Sequence, residues 1–106
     1  MPMKFNPEHE TAMHNLMQDI DGAMPAKMFG MPCYKVSGKL AVGVFETGIV
    51  LKVGEQQTKA MTSSGAAQPF EPMPGRPWRE WILLTGDFDK HKALFRQAVE
   101  LAKQAS

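Results

Sequence analysis

The sequence is poor in cysteine, nearly balanced in charge and without a long hydrophobic run. Cys33 is the one cysteine among 106 residues. No disulfide can close within the chain, which excludes the small scaffolds stapled by cystine pairs. Lys and Arg number 12 against 11 Asp and Glu, a formal net charge of +1, so a strong electrostatic grip on nucleic acid or anionic lipid is not expected. The apolar runs are short, and Gly43 interrupts the longest; a membrane-spanning helix needs about 20 apolar residues. No basic segment followed by an apolar one opens the chain, so no secretory leader is expected and the expected location is cytoplasmic.

Catalytic signatures are missing as well. There is no Gly-rich phosphate loop before a helix, no Gly-x-Ser-x-Gly elbow, and no pair of carboxylates set by spacing for acid–base work. The expectation is a non-enzymatic domain without cofactor or metal. The composition, 43% hydrophobic and 22% charged, is ordinary for one folded domain over residues 1–106.

What is present is a run of turn signals between apolar segments. Ser37-Gly38 and Thr47-Gly48 separate three of them and predict an antiparallel meander. Its strands are expected at 33–36, 39–45 and 49–53. In the second, Leu40, Val42 and Val44 would share one face and Ala41, Gly43 and Phe45 the other. In the third, Ile49, Leu51 and Val53 oppose Val50 and Lys52. A helix is predicted from Asn6-Pro7, a capping residue followed by a proline pre-set for the first turn, to a stop at Gly22. Its apolar stripe is Met13, Leu16, Met17 and Ile20. Pro25 then imposes an extended path.

A short helix is predicted from Glu55 to about Met61, ending at Ser63-Ser64-Gly65. Residues 66–77 carry Pro69, Pro72, Pro74 and Pro77 and read as an ordered crossing pinned by Phe70 and Met73. A fourth strand is expected from Trp78 to Thr85, with the two tryptophans on opposite faces. A last helix, capped by Asp87 or Asp89, would run to about Gln104. Leu94, Phe95, Ala98, Leu101, Ala102 and Ala105 form its stripe. The implied fold is a two-layer α+β domain: a small antiparallel sheet of about four to five strands with helices on one face, in the order α-β-β-β-α-β-α.

The candidate chemistry is sparse. Cys33 would need a neighbouring base or cation to become reactive, and Lys35, two residues on along a strand, is the nearest candidate; a buried apolar thiol is the simpler reading. His9 and His14 flank Glu10 at a spacing of five, not the four that places two zinc ligands on one helix face. Nine methionines are present, and Met24, Met28 and Met31 come close before Cys33. Thioethers beside a thiolate suit Cu(I), whereas core or interface packing explains the same residues without a metal. Trp78 and Trp81, with Arg76 and Arg79 beside them, are candidates for a contact surface. So are Met28, Phe29, Met31 and Tyr34. Residues 25–60 are net +3, and Lys35, Lys39 and Lys52 there are candidate anion contacts.

Met28-Phe29-Gly30, the segment Ser37-Gly38-Lys39-Leu40-Ala41-Val42-Gly43-Val44 and Gly48-Ile49-Val50-Leu51-Lys52-Val53 resemble the N-terminal domain of the TfoX/Sxy family. So do Pro69-Phe70-Glu71 and Gly75-Arg76-Pro77-Trp78-Arg79-Glu80-Trp81-Ile82-Leu83-Leu84. Segment order and spacing are kept through nearly the whole chain. It departs at Trp78, where family members often carry methionine, and at Met31-Pro32-Cys33-Tyr34. The resemblance implies a small α+β domain with no established catalytic residues. Full-length members regulate natural competence, carry a second, C-terminal domain and work with the cyclic-AMP receptor protein at promoters. It therefore implies an interaction or transcription co-regulatory role through a protein partner, with a homodimer as one arrangement. Two alternatives stand beside it: weak nucleic-acid binding through Lys35, Lys39, Lys52, Arg76 and Arg79, and a redox sensor or small enzyme built on Cys33.

Overall fold

The computed structural model describes residues 5–28, 30–72 and 75–104. Helix α1 spans Pro7–Met17, and strands β1 to β4 follow at Met24–Met28, Met31–Val36, Lys39–Phe45 and Gly48–Lys52. Helix α2 is Glu55–Ser64. Strands β5 (Gln68–Pro69) and β6 (Trp81–Leu84) come next, and after a short 3-10 turn at Phe88–His91 the chain continues as helix α3, Lys92–Gln104. Among the described residues the strands form one antiparallel sheet in the order β1-β2-β3-β4-β6-β5. The α+β class holds, with six strands instead of four or five.

Local chemistry explains most boundaries. The Asn6 side chain accepts the Glu8 N–H at 2.9 Å, and Pro7 takes the first helical position. Helix α1 ends at Met17, five residues before Gly22; Ile20 N–H bonds back to the Met17 carbonyl at 3.1 Å and closes a turn. Asp19 in that turn pairs with Lys92 at 2.8 Å, tying the exit of α1 to the start of α3. Ser37 and Gly38 adopt φ of 50° and 82°, the left-handed pair that a two-residue hairpin requires. At the other predicted turn the loop is Glu46–Thr47, and Gly48 opens β4 as a strand residue paired with Phe45. Gly48 is needed for space: a Cβ there would strike the Leu84 carbonyl of β6. Gly65, left-handed at φ 84°, closes α2.

The two faces of the sheet are both apolar, and each is covered differently. One face carries Val42, Val44, Ile49, Leu51, Ile82 and Leu84, packed under α1 and α3. From the helices come Met13, Leu16, Met17, Phe95, Ala98, Val99 and Ala102, all buried. Each fully buried Val, Leu or Phe contributes about 1.5–3 kcal/mol, so this layer is the main core. The opposite face carries Val50, Trp81 and Leu83, covered by Phe70 and Trp78 from the proline-rich crossing.

Three expectations need correction. First, Met24–Met28 is a strand paired with β2, with Met28 opposite Met31. This edge strand is mostly exposed, so no apolar alternation betrays it. Second, Tyr34 pairs with Val42 but Lys35 with Leu40, which leaves Ala41 as an extra residue in β3. This bulge turns Ala41 and Val42 to the same core and sends Leu40 to the second cluster. Third, β6 begins at Trp81, not Trp78, because Trp81 N–H folds back to the Trp78 carbonyl at 3.1 Å. The two tryptophans are therefore not related by strand alternation, and both join the same cluster. In α3, Val99 is buried and Leu101 half-buried; Met73 and Ala105 lie outside the described residues.

Candidate functional site

The side chains with the most to offer a partner meet on the second face, where the crossing returns to the sheet. Phe70 is 1% exposed and sits at the centre. Its ring meets Phe45 at 4.9 Å and Trp78 at 5.0 Å between centroids, both edge-to-face, and Trp81 at 6.3 Å. Trp78 and Trp81 meet edge-to-face at 5.4 Å. These are the offset geometries that aromatic quadrupoles favour. The Trp78 N–H donates to the Phe70 carbonyl at 2.9 Å, which clips the two ends of the crossing together. Trp81 is buried, while Trp78 is half-buried and forms the rim.

Beside that rim lies a cleft of about 320 Å³ between α2 and the crossing. Trp78, Pro69 and Pro77 line it with Thr58 and Thr62, and Arg79 and the Glu55–Lys59 ion pair (3.3 Å) supply its charges. Arg76 and Arg79 are both exposed, and only Arg79 lines the cleft.

The other candidates are scattered. Met31 is buried, Met28 half-buried, and Phe29 lies outside the described residues. Met24, at 70% exposed, stands open on the edge strand. Lys35 and Lys52 lie at the same end of β2 and β4, and Lys39 begins β3 at that end, opposite Val36. Lys52 is cross-strand from Trp81, so the basic end of the sheet adjoins the aromatic cluster.

Cys33 is 1% exposed, and burial pushes its thiol above the ordinary 9.0, outweighing the opposite pull of Lys35. A buried, high-pKa thiol is slow to react. The histidines diverge: His9 meets Phe88 edge-on at 5.1 Å, whereas His14 turns to Tyr34. The described residues contain no group of three or more His, Cys, Asp or Glu side chains placed to hold a metal ion, and no helix among them is long and apolar enough to cross a membrane.

Two features escaped the sequence. The Tyr34 hydroxyl lies 2.6 Å from His14 Nδ1, and His14 Nε2 lies 3.4 Å from Glu10. With Nε2–H donating to the carboxylate, Nδ1 is free to accept the phenolic proton. Glu10 and His14 are one helical turn apart, a visible signal; nothing in the sequence pointed to Tyr34 as the third member. The second is Thr58, a polar residue on the inner side of α2.

The geometry defines a two-layer α+β domain with an aromatic rim and a neighbouring cleft. Compared with models of known families, with curated proteins and with solved structures, the chain finds no match in any of the three.

Proposed function

We propose that the chain is a non-enzymatic interaction domain of the TfoX N-terminal type, a co-regulator of transcription that acts through protein contacts. The observation that carries this reading is the aromatic rim. Trp78 is only half-buried, yet Phe70, Trp81 and a backbone hydrogen bond to Phe70 hold it in place. A rigid tryptophan with exposed flanking arginines suits the centre of a contact surface. The test replaces Trp78 with a photo-crosslinking phenylalanine derivative in cells of the native host, with the same residue at exposed Asn15 on α1 as control. Discrete crosslinked species are expected at position 78 alone. Identical patterns at both positions would refute the assignment of the surface.

A second copy of the chain is one partner consistent with this reading. Light scattering over a range of concentrations tests it, and a strict monomer throughout removes it. Direct nucleic-acid binding is a second reading, favoured by the placement of Lys35, Lys39 and Lys52 at one end of the sheet beside the aromatic cluster. Binding of this kind weakens steeply with salt. Retention on heparin that falls with salt supports it, and no retention at low salt ends it.

A further inference from the structure

The wall of the cleft beside Trp78 includes a residue whose hydroxyl, closed off from the cleft in its present rotamer, is left unexplained by the fold. Thr58 is 7% exposed, and its hydroxyl has no hydrogen-bond partner among the described residues. A buried hydroxyl left unpaired destabilises a folded chain, and valine would fill the same space without that cost. The helix does offer a partner to such groups. Thr62, one turn on, gives its hydroxyl to the Thr58 carbonyl at 2.8 Å. Thr58 bonds the Gly54 carbonyl only through its own N–H, at 3.0 Å.

The surroundings say what could use that hydroxyl. Trp78, Pro69 and Pro77 supply flat apolar walls. Lys59 is matched by Glu55 at 3.3 Å, whereas Arg79 is exposed and makes no ion pair among the described residues. The unmatched charge at the cleft is thus positive. A volume of about 320 Å³ lies at the small end of ligand sites, which run from about 300 to 1,000 Å³. That suits one ring system with a short acidic arm, and not a dinucleotide.

We propose that this cleft binds a small aromatic carboxylate. The ring lies against Trp78 and the two prolines, the carboxylate meets the Arg79 guanidinium, and the Thr58 hydroxyl, turned about its Cα–Cβ bond, completes the polar contacts. This goes beyond the partner-contact reading and stands or falls separately from it.

The experiment titrates benzoate and indole-3-acetate into the full chain and follows backbone amides and tryptophan indole N–H signals by two-dimensional NMR. Saturable shifts are expected at Trp78, Arg79 and Thr58, with benzyl alcohol as a neutral analogue binding more weakly. Thr58→Val should fold at least as stably as the native chain in urea, yet bind several-fold more weakly, as the loss of one hydrogen bond implies. Arg79→Gln should weaken binding about tenfold, as the loss of one charge-assisted contact implies. The proposal is overturned if neither acid gives a saturable shift at these residues. It is equally overturned if Thr58→Val binds as tightly as the native chain, or if that variant is the less stable one, because the hydroxyl then serves the fold.

Discussion

Phe70 offers the sharpest test of the second face. It reaches the sheet from a proline-rich crossing, is 1% exposed, and touches three aromatic rings within centroid distances of 4.9 to 6.3 Å. Truncating a buried phenylalanine to alanine removes its transfer free energy and leaves a cavity, together about 3–5 kcal/mol. Phe70→Leu keeps most of the apolar volume and loses the ring contacts. The two closest edge-to-face pairs contribute about 0.5–1.5 kcal/mol each, so the leucine variant should lose about 1–3 kcal/mol. In a domain of this size that lowers the melting temperature by about 4–8 °C per kcal/mol. Urea unfolding followed by circular dichroism gives the free energies, and tryptophan emission in the folded state reports on Trp78 and Trp81. Both should shift to longer wavelength in Phe70→Ala as the crossing loosens. A Phe70→Ala cost below about 1 kcal/mol, well under the range for a packed phenylalanine, with unchanged emission would show that the crossing does not pack on the sheet, and the aromatic rim would lose its support.

Gly48→Ala should destabilise by more than the usual glycine-to-alanine change, by roughly 2 kcal/mol or more, because β4 and β6 must part to admit a Cβ at the Leu84 carbonyl; a thermal melt equal to that of the native chain would contradict the close approach. Tyr34→Phe removes the hydroxyl that meets His14 Nδ1 at 2.6 Å and should cost about 1 kcal/mol, with a matching loss in His14→Ala and less than the sum in the double variant; full additivity in urea melts would deny the bond. Burial raises both the Cys33 thiol above 9.0 and the Tyr34 phenol above 10.0. The unfolded chain therefore releases these protons first, and stability, intact below pH 9, should fall as pH rises from there through the raised values. Cys33→Ala should flatten the first part of that fall in pH-dependent urea titrations, and an unchanged slope would place the thiol in water.

The legible parts of the fold were those written in backbone chemistry. Ser37-Gly38 set a hairpin because few other pairs accept two positive φ values, Gly65 closed α2, and the stripe of α3 announced its buried face. The unread parts depend on contacts between distant segments. The edge strand Met24–Met28 alternates nothing because neither side is fully covered. The bulge at Ala41 arises from pairing with β2, and its effect on Leu40 cannot be read from β3 alone. Period-two alternation does not relate Trp78 and Trp81, because a turn, not a strand, joins them. Of the site, the tryptophans and arginines were legible as a cluster in sequence, whereas Thr58 and the His14–Tyr34 pair became visible only once α2 and α1 had docked.

The two ends of the sheet differ in a way that limits how copies could join. One end is β5, two residues long with Pro69 in it and with α2 packed against it. The other is β1, five residues with no neighbour beyond it among the described residues. Association through backbone pairing therefore has a single docking side. Two chains joined there would each turn a sealed end outward, and growth would halt at a pair without propagating into a fibre.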